Sequence, residues 1–475
     1  LKAEGAAGPE DIIIRELHKA EQAELTAWVQ DKEAVFPYLP MPEKQGKVAE
    51  HVSYKDIDAE RYVFENGLVL NLKQTDFEPN EVRVTAVLGH GRLSETKPGL
   101  ALLAQMLLPE SGFGGLTKEQ LKEVLAPYSA RVDFQADDDS FQLQGKGLKS
   151  ESELLFQLLY TQLADPAFRE DAFDRGMQRM RQTYAQLESA VEGMMHLQGE
   201  RFLAGGNLRY GAVPLEMLDK ITVADIEQWL RPVFQESALE LSVVGDFDQE
   251  EILKLAGRYF GGQARKRFEQ VDGEKITFPS GRSLSLPVET HSEKGMVTVA
   301  WPTDDFWDIS RTRRLNVLAS VLDDRMRKLI REELGAAYSP YSYNRSSDVD
   351  PGYGVLRAVV VVDPKQADMV AEKLKQLGRQ LAGGKITADE LERAVEPTLT
   401  SIRDLVRTNR YWMESVLMQS IQHPERLEWP KTIQSDIATI TVEDISALAT
   451  KYLKPENAAE VILLPSKKEQ EDSLK

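Results

Sequence analysis

One hexapeptide occurs twice in this chain, and the spacing between its copies constrains the fold more than any other feature. Residues Ile221–Ile226 (ITVADI) recur as Ile440–Ile445 (ITVEDI), 219 residues later. In each copy a threonine precedes an aspartate by three positions, an arrangement in which both side chains satisfy the free N–H groups of a starting helix. The hexapeptide therefore predicts the start of an equivalent helix in two places.

Two further pairs of segments repeat at nearly the same spacing. An apolar segment with strand character follows each copy, at 238–244 and 458–464. Upstream, REDAFDR at 169–175 corresponds to TADELER at 387–393. Three elements that recur in one order at one offset indicate a duplication, so we predict an α+β fold built from two similar domains.

The repeat and the character of the flanking segments set the domain boundaries. We expect the two domains at residues 58–265 and 266–475, after an N-terminal helix and linker at residues 1–57. The helix is predicted for 10–34, where the pattern is amphipathic, and the extended linker for 37–55, where Pro, Gly and charged residues show no period.

Local patterns predict much of the secondary structure. Asn66-Gly67 lies between two apolar alternating segments, which is typical of a β-hairpin turn. Residues 81–88 alternate as a half-buried strand, and further strands are expected at 296–301 and 355–362, the last buried on both faces. Helices are predicted at 98–108, 117–126, 150–163, 168–204, 310–334 and 365–383.

Composition excludes several classes of partner. Lys and Arg number 58 against 77 Asp and Glu, giving a net charge of −19, and such a chain repels nucleic acid and anionic lipid. There is no cysteine, which excludes disulfides and thiolate metal sites. No apolar run approaches the roughly 18 residues of a membrane span. The chain starts with Leu1, so we expect a fragment or a processed product.

The sequence offers no compact metal or cofactor motif. The six histidines are His18, His51, His90, His196, His291 and His423. Two imidazoles on one helix face must lie three or four positions apart to share a zinc ion, and none of these do. A site assembled from three distant histidines stays open. Gly89–Ser94 (GHGRLS) lacks the third glycine of a dinucleotide loop.

A longer stretch resembles the metal-binding helix of a known family. Residues Glu95–Met106 (ETKPGLALLAQM) resemble the insulinase/pitrilysin zinc peptidases, whose active members read Gly-Leu-Ala-His-x-x-Glu-His at this point. Leu102 stands at the first His position, Gln105 at the Glu position and Met106 at the second His position. The third ligand of the family, a Glu, would fall near Gln182. The resemblance therefore implies that this chain binds no zinc.

The second predicted domain carries another mark of that family. Residues Leu329–Ser339 (LIREELGAAYS) are similar to the family's helix-to-strand segment, in which an Arg and a Tyr seven residues later lie opposite the zinc. The resemblance implies that Arg331 and Tyr338 hold the substrate carbonyl and stabilise the oxyanion, for which a guanidinium and a phenol are suitable donors. The alternative is that Arg331 caps a helix C-terminus and Tyr338 packs at a strand start.

Taken as a whole, the resemblance is to the C-terminal, non-zinc half of long bacterial family members. It implies two domains that each have a mostly antiparallel sheet with helices on one face. It also implies a partner half, in the same parent chain or separate, that supplies zinc while this half closes a chamber around peptides. The periplasm is the preferred compartment. The alternative function is a structural or assembly subunit of the same fold that handles no peptide.

Overall fold

The computed structural model describes residues 14, 15, 18, 34–333 and 340–466. The chain divides into two compact units, residues 1–36 and 37–475. In the first unit, Ile14, Arg15 and His18 are helical and exposed, and most of the predicted helix lies outside the described residues. The second unit holds both sheets.

Twelve strands make up the sheets of the described second unit. They are β1 Val48–Tyr54, β2 Ala59–Phe64, β3 Val69–Gln74, β4 Glu81–Leu88, β5 Arg131–Ala136, β6 Phe141–Leu148, β7 Leu239–Gly245, β8 Ser283–Glu289, β9 Gly295–Thr303, β10 Tyr341–Ser346, β11 Gly354–Val362 and β12 Ala459–Ser466.

The α-helices lie mostly between these strands. They are α1 Leu100–Ser111, α2 Lys118–Leu125, α3 Ser152–Ala164, α4 Glu170–Glu188, α5 Val191–Met194, α6 Glu200–Leu203, α7 Leu215–Leu218, α8 Val223–Glu236, α9 Gln249–Tyr259, α10 Ile309–Glu333, α11 Ala367–Ala382, α12 Ala388–Leu405, α13 Asn409–Tyr411, α14 Trp429–Ala438 and α15 Val442–Tyr452. None of the described helices is long and apolar enough to cross a membrane.

The two sheets share one strand order. The first runs β1-β2-β3-β7-β4-β6-β5 and the second, read from its other end, β8-β12-β9-β11-β10. In each, one parallel pair (β3 with β7, β8 with β12) is followed by three antiparallel pairs. The first sheet adds β1 and β2 at its edge. We call the first sheet with α1–α9 the first module and the second sheet with α10–α15 the second module.

The repeated hexapeptide begins a helix in both modules, as predicted. Thr222 caps α8, its Oγ1 accepting from the backbone N–H of Asp225 at 3.2 Å while the Asp225 carboxylate accepts from the N–H of Thr222 at 2.9 Å. Thr441 and Asp444 form the same pair of bonds at 3.1 and 3.0 Å at the start of α15. Each helix then leads to an interior strand of its sheet, β7 or β12.

In the second module, helices pack on one face of the sheet. Alternate residues of β9 and β11, including Trp301 and Leu356, point into a core with Leu318 of α10 and Leu374 of α11. All four are fully buried. Burial of side chains of this size contributes about 1.5–3 kcal/mol each, so the helix-facing side is the stable base of the module.

Two predicted segments differ in the structure. The segment 37–55, predicted as an extended linker, contains strand β1, which pairs antiparallel with β2. Its side chains are mostly exposed, so no hydrophobic period marks it. The helix predicted for 168–204 is broken after Glu188, because the chain turns so tightly that a side-chain carbon at Gly193 would meet the carbonyl of Leu187 at 2.0 Å.

Each module then presents a π-helical turn to the other. Met195–Gly199 in the first module and Trp412–Leu417 in the second follow equivalent long helices, α4 and α12. The region of α5 and Met195–Gly199 packs against β9 and β12, and Trp412–Leu417 packs against β7, the counterpart of β12. The two modules therefore contact one another reciprocally, each through the same insertion.

Candidate functional site

The candidate site lies on the face of the second sheet opposite its own helices, a face that the first module partly covers. Along β11, Leu356 and Val360 point into the core, whereas Arg357 and Val359 point the other way. Their antiparallel partners on β10 are Tyr343 for Arg357 and Tyr341 for Val359, which share this face.

A cavity of about 320 Å³ opens between this face and the first module. From the second sheet it is lined by Met296, Thr298, Tyr341, Tyr343, Arg345 and Val359. From the first module the charged and ring-bearing lining residues are Arg92, Asp138, Glu192, Glu200, Arg209 and Tyr210, together with His196. We call this cavity the groove.

A buried ion pair lies beside the groove, which its Glu200 member lines. Arg357 on β11 is 2% exposed and makes two parallel bonds to the Glu200 carboxylate of α6, one of them 2.7 Å between Nη2 and Oε2. Arg357 Nη1 also donates to the Tyr343 hydroxyl at 3.1 Å. Burial alone would lower the pKa of Arg357, but the Glu200 carboxylate raises it above its usual value. The pair stays ionised and ties the two modules together.

A second set of polar contacts joins the two modules next to the Arg357–Glu200 pair. Asp350, fully buried after β10, accepts from the Tyr210 hydroxyl at 2.7 Å and forms an ion pair with Arg209. The hydroxyl of Tyr353 donates to the carbonyl of Leu203 at 3.2 Å. These bonds hold the β10–β11 hairpin against residues 200–210 of the first module.

The edge strand β10 presents two tyrosines to the groove. Tyr341 and Tyr343 are 45% and 36% exposed, and their rings stack with centroids 6.0 Å apart at 12°. The backbone N–H of Ser342 donates to Asp323 of α10 at 3.1 Å. Since α10 occupies that donor, the edge of β10 is partly closed to pairing with another strand.

The predicted Arg–Tyr segment leads into this edge strand. Arg331 belongs to the last turn of α10, which ends at Glu333, and β10 begins at Tyr341. Tyr338 lies outside the described residues, as does the side chain of Arg331. Their role as substrate contacts therefore stays a prediction. Both residues belong to the segment that joins α10 to β10, the strand that borders the groove.

In the first module, helix α1 carries the residues that the family resemblance aligns with the zinc motif. Leu102, Gln105 and Met106 lie on α1 and are partly buried. Gln105 Nε2 donates to the carbonyl of Ala136 on edge strand β5 at 3.3 Å. Met106 packs so closely on α4 that an added side-chain carbon at Gly176 would meet its sulfur at 2.4 Å. An alkyl, an amide and a thioether do not form a zinc site.

The fourth position, Gln182, lies on the exposed side of α4. The residue that α4 places against Met106 is Gly176, six positions earlier. Within the described ranges, no group of three or more His, Asp or Glu side chains is arranged to hold a metal ion.

Buried polar side chains also join the two modules, and the sequence patterns did not predict these contacts. Glu240 on β7 is completely buried, and its Oε1 accepts from Asn71 at 2.7 Å and from Ser420 at 3.1 Å. Arg61 donates to Asn71 at 2.7 Å and to Ser420 at 2.7 Å. Burial raises the pKa of Glu240, and the Arg61 guanidinium opposes that rise. The signal in the sequence was Glu240, a charged residue inside an otherwise apolar strand, which indicates a buried polar contact.

Comparison with known proteins gives one family and several relatives. Residues 220–397 match the family described as the peptidase M16 inactive domain. The chloroplastic stromal processing peptidase of Oryza sativa subsp. indica is 22% identical over 458 residues, covering 83% of this chain and 36% of the relative. The chain therefore spans about a third of that relative's length.

Two solved structures share the fold. The periplasmic protease PqqL from Escherichia coli superimposes with a TM-score of 0.77 at 18% identity, covering 97% of this chain and 51% of that one. The peptidase M16 inactive domain from Pseudomonas fluorescens superimposes with a TM-score of 0.73 at 16% identity, covering 86% of this chain and 100% of that one.

Proposed function

This chain carries a peptidase M16 inactive domain, and from that premise we propose that it is the non-catalytic half of a zinc metallopeptidase. In this role it closes a peptide-degradation chamber and contacts the peptide. The match at residues 220–397 is the observation that carries the proposal. The amide and thioether side chains of Gln105 and Met106 support it, because they leave the chemistry to a partner half that holds zinc.

Arg331 and Tyr338 are the residues we assign to the substrate carbonyl. The guanidinium and the phenol hydroxyl donate hydrogen bonds to the oxygen on which charge develops when the peptide bond is attacked. The Arg331 helix is braced for this, since Arg325 Nε and Nη2 of α10 donate to the Glu390 carboxylate of α12 at 2.8 and 3.0 Å. A braced donor loses little freedom when the substrate arrives.

The groove side of the second sheet is the proposed chamber wall. Closing the two halves excludes folded proteins by size and removes water from the polarised carbonyl. Pairing of the peptide backbone with exposed strand edges adds affinity that tolerates many sequences. We place the protein in the periplasm, where the E. coli relative is described.

The test is to replace Arg331 in the complete enzyme, with the zinc-bearing half present. R331A is expected to lower peptide turnover at least about tenfold, because a lost oxyanion donor typically costs two to three orders of magnitude. R327A is the matched control, since Arg327 lies one turn earlier with a 58% exposed side chain paired to Asp323.

Wild-type turnover by R331A would contradict the assignment. It would favour the alternative in which the chain is a structural or assembly subunit of the same fold. An equal loss in R331A and R327A would point to damage of α10 rather than to a lost substrate contact.

A further inference from the structure

The stacked tyrosines of β10 are unusual among the aromatic residues of the second sheet because they are exposed. Tyr341 and Tyr343 present one continuous aromatic surface to the groove, whereas Trp301 on β9 is fully buried. An aromatic face in a wet groove attracts apolar side chains and cations.

One carboxylate borders this aromatic surface, and it forms no ion pair with any residue in the described part of the chain. Glu192, on α5, is exposed and lines the groove together with Tyr341. The pKa of Tyr341 is raised, chiefly by burial and then by the nearby Tyr343 and Glu192, so its hydroxyl stays neutral. The carboxylate of Glu192 therefore adds negative potential at one end of the aromatic surface.

The other charges of the groove are mostly neutralised by partners. Arg92 pairs with Asp138 at 3.1 Å, Arg209 pairs with Asp350, and Glu200 pairs with Arg357. Arg345 is the remaining cation of the lining, two positions beyond Tyr343 on the same strand. Successive alternate residues of a strand lie about 6.6 Å apart, so Arg345 lies about 13 Å along β10 from Tyr341, the tyrosine whose pKa the Glu192 carboxylate raises.

We propose that the groove binds a basic side chain of the peptide substrate, with its cation over the Tyr341–Tyr343 surface and against the Glu192 carboxylate. Arginine fits better than lysine, because a planar guanidinium stacks on an aromatic ring while donating two bonds to a carboxylate. The net charge of −19 draws basic peptides toward the protein at long range. This inference rests on the proposed peptide-contacting role and adds the class of side chain selected.

The test measures binding of short fluorescent peptides that differ at one central residue: arginine, citrulline or glutamate. Citrulline keeps the shape of arginine and removes its charge. The full chain is expected to bind the arginine peptide about tenfold more tightly than the citrulline peptide. E192Q is expected to abolish that difference, and Y341A to weaken the arginine peptide about threefold.

Two variants serve as comparisons. E443Q removes the same charge from an exposed position on α15, outside the groove lining, and is expected to keep the preference. Equal binding of the arginine and citrulline peptides would overturn the inference and leave the proposed function standing. A preference for the glutamate peptide that R345Q removes would also overturn it. Failure to bind any of the peptides, together with wild-type turnover in R331A, would count against both proposals.

Discussion

The first and second modules share a strand order but differ in the helical connection that leads to the edge strand. In each, a helical connection leads from an interior antiparallel strand (β4 or β9) to the edge strand (β5 or β10). In the first module this connection holds two helices, α1 of 12 residues and α2 of 8 residues, and the chain turns between them at Gly112, whose φ is 70°. In the second module it holds a single helix, α10, of 25 residues.

The two connections also contact their edge strands differently. In the first module, the Gln105 side chain on α1 donates to a backbone carbonyl of β5. In the second module, the Asp323 carboxylate on α10 accepts from the backbone N–H of Ser342 on β10. One duplicated framework therefore joins its helical connection to the edge strand in two ways.

The contacts between the modules also differ in kind. The first module reaches the second through a charged pair, Glu200 with Arg357. The second reaches the first through the hydroxyl of Ser420, which bonds to the buried Glu240. Reciprocal packing is thus preserved while the polar groups at its centre have diverged.

The largest expected effect tests whether the two modules fold together. W301A removes a fully buried ring from the second core, and F141A removes a fully buried ring from the first. Each is expected to lower the free energy of unfolding by about 3–5 kcal/mol. In calorimetry, one shifted transition in both variants is the expected result, because the modules share an interface. Two separate transitions would show that the modules unfold independently.

The next effect tests the asymmetry of the interface. E200Q leaves Arg357 buried with only a neutral partner and is expected to cost about 3 kcal/mol in urea unfolding. S420A, at the reciprocal contact, is expected to cost about 1 kcal/mol. E188Q, at an exposed position on α4, is the control. Equal losses for E200Q and S420A would mean that the two contacts contribute alike.

A pH experiment compares the starts of the two long helices. The Arg325 guanidinium and the Thr387 cap lower the pKa of Glu390 to about 2, whereas the first module has Ala172 at this position of the repeat. A lowered pKa stabilises the fold above the unfolded value of 4.5, and this contribution is lost as pH falls toward 2.

E390A, which copies the residue of the first module, is therefore expected to cost about 1.5 kcal/mol at pH 7, after allowing for solvent screening. The difference from wild type should shrink as urea unfolding is repeated from pH 5 down to pH 2. A difference that stays constant with pH would show that the carboxylate charge contributes nothing.

The smallest expected loss of stability concerns Thr222 and Thr441, the equivalent helix caps of the two modules. T222A and T441A each remove a helix cap and are expected to cost about 1 kcal/mol. Because the two caps have nearly identical bond lengths, the two losses should agree within about 0.5 kcal/mol. A clear inequality, measured by urea unfolding, would show that the surroundings of α8 and α15 have diverged more than their caps.

The sequence predicted the duplicated elements well, because their signals are local. The Thr caps, the Asn66-Gly67 turn and the β4 strand depend on neighbours within a few positions, and the structure has each of them where predicted. Strands such as β5 and β10 were missed, since an edge strand with exposed polar residues lacks a clean hydrophobic period.

The sequence repeat did not predict which face of a strand each side chain occupies. Glu240 lies 14 residues after the first hexapeptide and Glu460 lies 15 residues after the second. Glu240 bonds to Ser420 of the other module, whereas Glu460 pairs with Lys375 of helix α11. A one-residue shift in a strand moves every side chain to the opposite face, so two segments that look alike can face different neighbours. The groove was not predicted either, because its walls come from both modules and depend on how the modules pack together.

The reciprocal insertions make this chain resemble two copies of one protein joined end to end. Each copy covers part of its twin with the same segment, as the subunits of a twofold-symmetric dimer do. Losing either copy would expose the sheet face that the other now shields. Shortening the protein to a single repeat would therefore leave an incompletely folded remnant with an exposed apolar sheet face, so each copy depends on the other for its fold.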